Sequence, residues 1–258
     1  MKSLILLLLI VLSTQPVSAI APPPPTGALI WVALGDSLTE GDGDEDSREG
    51  ANRGWVGRVT PLLVKARPGS KVINLGKSGW DSNALIKGDQ GLPSQLESAV
   101  KAKPHLVTVW IGSNDLWYLE GSSDEEAPVT FTQNIDLILK TLKGTGAVVY
   151  LAVLDDQSNR PIAFKTDVIT EPNRKRMNRF AGIFNGIIRA KAAEYDAILV
   201  SFEGSKIFVD AATLADDGNH PNAKGYEQIA EIWWSAMQPE VLNKARPTAT
   251  PYLTPPAK

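Results

Sequence analysis

Five short runs rich in Val, Ile, Leu and Ala punctuate the chain: Ala28–Leu34, Lys71–Leu75, His105–Ile111, Ala147–Leu154 and Ala197–Phe202. None alternates cleanly between apolar and polar positions, which is the pattern of strands covered on both faces. Between them the apolar spacing becomes helical. Met177, Phe180, Phe184, Ile187 and Ile188 form a stripe over Arg174–Tyr195, read as core rather than as a ligand groove. Phe131–Leu142 and Ala223–Gln238 predict further helices. Leu92-Pro93 opens another, with Pro93 in its first turn and Leu96 and Val100 on one face. Trp55–Ala66 is ambiguous, because Pro61 should break or kink a helix there. Strands alternating with helices predict an α/β fold in three layers, α/β/α, around a parallel five-stranded sheet with right-handed crossovers. Ligands of such sheets bind beyond the carboxyl ends of the strands.

The two ends follow different rules. Lys2 precedes an unbroken aliphatic run, Leu4 to Leu12, and Val17-Ser18-Ala19 places permitted residues at the −3 and −1 positions of a cleavage site. Residues 1–19 read as a secretory signal peptide, too short to span a bilayer. No cysteine follows to carry a lipid, and no other stretch is apolar enough to cross a membrane, so a secreted or periplasmic protein is expected. Pro22 to Pro25 make residues 20–26 an extended spacer. Residues 243–258, with Pro247, Pro251, Pro255 and Pro256, read as a disordered tail. One ordered domain is expected over residues 27–242, without internal repeats.

Composition narrows the chemistry. The formal net charge of −3 argues against a nucleic-acid partner, which needs a basic patch. The absence of cysteine excludes disulfides, thiolate metal sites and a cysteine nucleophile. No Asn-x-Ser/Thr acceptor for N-glycosylation occurs. Neither oligomeric state nor a metal site is indicated.

The polar motifs follow the strands. Ser37, in Gly35-Asp36-Ser37-Leu38, lies just past the first. It reads either as the cap of the next helix or as a nucleophile at a strand-to-helix turn. A serine nucleophile needs a base, and the chain has two histidines. His105 opens a strand, at the wrong end of the sheet for a cleft residue, and reads as structural. His220 lies in Asp217-Gly218-Asn219-His220-Pro221 before the last helix. Asp217, three residues earlier, is placed to orient the imidazole, with Asp216 as its competitor. Asn74–Gly79 follows the second run and Gly112-Ser113-Asn114-Asp115 the third. Each alone reads as turn chemistry, but jointly they set a Gly N–H and an Asn amide at the sheet edge that carries Ser37.

Taken in order, these four segments resemble the SGNH/GDSL hydrolase family across the whole ordered domain. Gly35–Leu38 matches its first block, Asn74–Gly79 the second, Gly112–Asp115 the third and Asp217–Pro221 the last. The resemblance implies a flavodoxin-like sheet and cofactor-free ester hydrolysis. It implies Ser37, His220 and Asp217 as the triad, with Ser37 N–H, Gly79 and Asn114 forming the oxyanion hole; Gly76 is a rival to Gly79. Asp36 and Asp115 are expected to brace loops. The Gly-x-Ser-x-Gly elbow of another esterase class is absent.

Other features change the picture less. Asp42-Gly43-Asp44-Glu45-Asp46 is read as a solvated acidic loop rather than a calcium site. Trp80, Trp117 and Tyr118 either line a substrate pocket or cover the sheet end. Arg174, Lys175, Arg176 and Arg179 read as a solvated helix face. The expected substrate is a small-molecule, lipid or carbohydrate ester. The alternatives are a carbohydrate O-acetylesterase and, from another class, a non-catalytic cell-surface binding protein with the same fold.

Overall fold

The structure is a computed structural model and describes residues 27–46 and 53–243. The expected signal peptide, the spacer up to residue 26 and the tail from residue 244 lie outside the described residues.

Five parallel strands form one sheet in the order β2-β1-β3-β4-β5: β1 Ile30–Gly35, β2 Lys71–Asn74, β3 Leu106–Trp110, β4 Val148–Ala152 and β5 Ile198–Val200. Each lies inside one of the five apolar runs, apart from Gly35, which extends β1 by one residue. The central strand β3 is buried throughout, and β1 nearly so. The edge strands β2 and β5 are not; Leu199 is exposed. Double-sided burial therefore holds only for the central strands, since an edge strand has one neighbour and a lighter cover.

The connecting helices are α1 Ser37–Glu40, α2 Gly54–Ala66, α3 Ser82–Lys87, α4 Gln95–Lys101, α5 Ser113–Trp117, α6 Glu126–Lys143, α7 Glu171–Glu194 and α8 Ala223–Leu242. On one side of the sheet Trp31 and Trp110 meet Trp55 of α2 and Trp233 of α8, the last two stacked at 4.5 Å between ring centroids. A second group packs through Phe131 of α6 and Phe184 of α7, stacked at 4.0 Å. Burial of rings of this size supplies most of the packing energy of such a core.

Two prolines correct the sequence reading. Residues 54–66 are helical despite Pro61, which sits on the exposed face, where a local irregularity disturbs no core contact. Pro93 lies outside α4. The cap is Ser94, whose hydroxyl accepts the Glu97 N–H at 3.1 Å and ends the preceding turn.

The chain places β2 on one side of β1 and β3 on the other. This reversal opens a crevice between the carboxyl ends of β1 and β3. Ser37 follows the first of these strands and Asn114 the second.

Candidate active site

The turn after β1 is held from several directions. Gln95 grips the last strand residue as a neighbouring strand would: Gly35 N–H donates to its Oε1 and its Nε2 donates to Gly35 O, both at 2.9 Å. Asp36 then caps α1, accepting the Leu38 N–H at 2.9 Å. Ser37 is thus the first helical residue and not the cap. Its Oγ lies 2.9 Å from Nε2 of His220, 183 residues away in sequence. His220 Nδ1 lies 2.6 Å from Asp217 Oδ2. The other oxygen, Oδ1, accepts the Asn219 and His220 N–H groups at 2.8 and 2.9 Å. Burial would raise the Asp217 pKa; the imidazole and these two N–H groups outweigh it and hold the carboxylate below its ordinary range. Asp216 is exposed, and Asp217 is the carboxylate that meets the ring.

Three candidate donors stand in the segments that follow β1, β2 and β3. Asn114 Nδ2 donates one proton to Trp80 O at 2.8 Å and has a second to offer. Gly79 adopts φ of 78°, a left-handed conformation that glycine tolerates without strain. Its N–H and that of Ser37 have no acceptor among the described residues. Gly76 is different: its N–H is taken by Asn74 Oδ1 at 3.0 Å, and a Cβ there would stand 2.4 Å from Glu40 N. It is a close-packing position, with no N–H to spare for a ligand.

The model of the GDSL-like Lipase/Acylhydrolase family matches residues 33–228, most of the described chain. The chain belongs to this family. It is a GDSL-type esterase/lipase. A relative from Escherichia coli K12, thioesterase 1/protease 1/lysophospholipase L1, is 27% identical over 210 residues, 81% of this chain and 83% of its own. The solved structure of the psychrotrophic esterase EstA from Pseudoalteromonas sp., inhibited by monoethylphosphonate, superposes with a TM-score of 0.61 at 18% identity, covering 83% of this chain and 99% of that one. The acetylxylan esterase Axe2 from Geobacillus stearothermophilus gives 0.59 at 20% identity, over 85% and 98%. At these identities the two structures speak for the fold.

Around the crevice this GDSL-type enzyme has further supports, of which Glu40 was not marked in the sequence, whereas Asp36 and Asp115 were expected to brace loops. Glu40 of α1 accepts the Ser78 N–H and lies 3.4 Å from Lys77 Nζ, fastening the turn that carries Gly79. Asp115 accepts the N–H and hydroxyl of Ser82, joining α5 to α3; burial raises its pKa to about 6. Asp36 is fully buried, which raises its pKa to about 7 against the opposing Leu38 N–H, Arg160 charge and Ser113 hydroxyl.

The acidic loop is not a solvated one. The Asp44 side chain is 0% exposed, paired with Arg58 and accepting the Gly54 N–H. Burial alone would raise its pKa, but Arg58 and the N–H groups hold it below the ordinary range. Asp42 pairs with Arg53, and Glu45 accepts the Ala223 N–H. The carboxylates thus tie this segment to α2 and α8. Among the described residues no group of three His, Asp or Glu is arranged to hold a metal ion.

The aromatic residues divide. Trp80 is 2% exposed and its carbonyl holds the Asn114 amide, and Trp117 is half-buried against the core. Tyr118 is 54% exposed, and its hydroxyl donates to Gly79 O at 3.1 Å. The arginines of α7 are also not simply solvated. Arg176 donates to Leu119 O, Ser122 O and Asp124, fastening the loop after Tyr118, and Arg179 also pairs with Asp124. Arg174 lies over the Phe164 ring and Lys175 pairs with Glu171. His105 sits at the amino end of β3, where Nδ1 accepts the Ile30 N–H at 3.0 Å; burial lowers its pKa. A separate cavity of about 440 Å³ lies beyond β4 and β5, but its amides serve the protein itself: Asn185 with Leu154, Asn178 with Asp156.

Proposed function

We propose that this enzyme hydrolyses carboxylic esters by double displacement, with Ser37 as nucleophile, His220 as general base and then acid, and Asp217 orienting the imidazole. The observation that carries this reading is the unbroken relay from Ser37 Oγ to His220 Nε2, and from His220 Nδ1 to Asp217 Oδ2, at 2.9 and 2.6 Å. In the first step Nε2 accepts the hydroxyl proton as Oγ bonds to the ester carbonyl carbon, and the carbonyl electron pair moves onto oxygen. The Ser37 and Gly79 N–H groups and the Asn114 amide are the donors to that oxyanion, each worth about 3 kcal/mol of barrier. The oxyanion collapses, the alcohol leaves with the proton from Nε2, and water repeats the sequence on the acyl-enzyme. Asp217 never takes the proton; it fixes the tautomer and stabilises the imidazolium.

Residues 1–19 support export, with the ester met outside the cytoplasm. The acyl and alcohol groups are assigned by a substrate panel: p-nitrophenyl esters from acetate to palmitate, and acetylated xylan. Turnover of acetyl esters alone assigns a carbohydrate O-acetylesterase; turnover rising with chain length assigns a lipid esterase. The nucleophile is tested with a fluorophosphonate. The wild type should label, and Ser37→Ala should abolish both labelling and hydrolysis. Labelling that survives Ser37→Ala would overturn the assignment, and a wild type that neither labels nor turns over an ester would favour a binding protein.

A further inference from the structure

Arg160 stands in the segment after β4, and 98% of its surface is covered. Each of its three guanidinium nitrogens donates, and four of its five N–H groups are bonded. Nε and Nη2 grip both oxygens of Asp155 at 2.8 and 2.7 Å, while Nη1 donates to Asn219 Oδ1 at 2.8 Å and Asn219 O at 3.2 Å. One face lies over the Phe208 ring, 4.7 Å from its centroid. Two residues on, Ile162 N–H donates to Gly218 O at 3.0 Å. Gly218 and Asn219 are the two residues between Asp217 and His220. Both are therefore held by the 160–162 segment, although the turn itself belongs to the chain between β5 and α8.

We propose that Arg160, set by Asp155, is a positioning residue that fixes the Asp217–His220 turn at the distance from Ser37 that proton transfer needs. The inference rests on the triad reading given above. Stability does not account for the pair. Desolvating two charges costs several kcal/mol, and apolar replacements of similar volume are often neutral or stabilising. What an apolar pair lacks is direction. A planar fork held along one edge by a bidentate carboxylate orients the donor at its other corner, here Nη1 toward Asn219, which neither lysine nor methionine does. The turn is otherwise partly exposed, tethered mainly by its own Asp217 contacts and by Ala215 N–H to His220 O at 2.8 Å. A misplacement of about 1 Å in a reacting group costs up to ~10²-fold in rate.

The test compares Asp155→Leu/Arg160→Met, Arg160→Lys and Asn219→Ala with the wild type, measuring kcat and KM on a p-nitrophenyl ester, the thermal midpoint and the fluorophosphonate labelling rate. The double variant should stay folded and lose about 10–100-fold in kcat with KM within about threefold, labelling slowing in parallel. Arg160→Lys should fall between it and the wild type. Asn219→Ala, which removes one acceptor from a turn outside the core, should lose about 3–10-fold in kcat without a change in midpoint. A folded double variant with kcat within twofold of wild type overturns the proposal. So does Asn219→Ala with unchanged kcat, which decides the matter if the double variant does not fold. Wild type labelled at Ser37 with unaffected variants would sink positioning alone; labelling that survives Ser37→Ala would sink the triad beneath it.

Discussion

Replacing Asp36 by Asn should stabilise the protein, and by an amount that depends on pH. The Asp36 carboxyl is fully buried, and that burial raises its pKa from 3.8 to about 7. In the unfolded chain the group ionises near its ordinary value. Between the two, the folded state keeps a proton that the unfolded state has released, so stability falls as pH rises from about 4 to about 7 and is level above. At about 1.4 kcal/mol per pH unit, this interval is worth about 4 kcal/mol. Asn keeps the oxygen that accepts the Leu38 N–H, so the α1 cap survives, and it cannot ionise. Asp115, raised to about 6, titrates in the same window but is present in both proteins and largely cancels. Urea unfolding of wild type and Asp36→Asn at pH 4.5, 6 and 8 should show a variant advantage of only about 1 kcal/mol at the lowest pH. The advantage should then widen by about 3 kcal/mol, to about 4 kcal/mol at the highest. An advantage that stays constant across these pH values would mean that Asp36 does not hold its proton in the fold, and the burial argument would fail.

Two further results are expected. Arg58→Ala leaves the Asp44 carboxylate buried without its cation and should cost about 3–5 kcal/mol, read as a lowered thermal midpoint. Millimolar calcium should not restore it, and recovery by calcium would mean that the 42–46 loop is a cation site. Asn114→Ala should lower kcat by about 10²–10³-fold with little change in KM, since its amide is assigned to charge that develops only in the transition state; a change confined to KM would remove Asn114 from that role.

Much of this protein was determined by local pattern. The length and apolarity of five runs, and the helical spacing between them, were enough for a parallel α/β sheet, because each element's period is set by its own backbone. Asp217 and His220 were legible for the same reason: they are three residues apart, and one turn brings them together. Contacts between distant segments were not legible. Nothing near Gln95 marks it as the clamp on Gly35, and nothing near Asp155 and Arg160 points to a turn that begins more than fifty residues later. The acidic loop reads as solvated until Arg58 is seen to fill it, and the α7 arginines read as a free face until Asp124 is found beneath Arg176 and Arg179. Trp80, Trp117 and Tyr118 are alike as letters, yet only Tyr118 stands in the open, because exposure depends on what the rest of the chain lays over each ring. The residue types for the proposed chemistry stand in the sequence. Which polar groups are buried, paired and aimed was decided by packing, since desolvation and geometry act between segments that meet only in the folded chain.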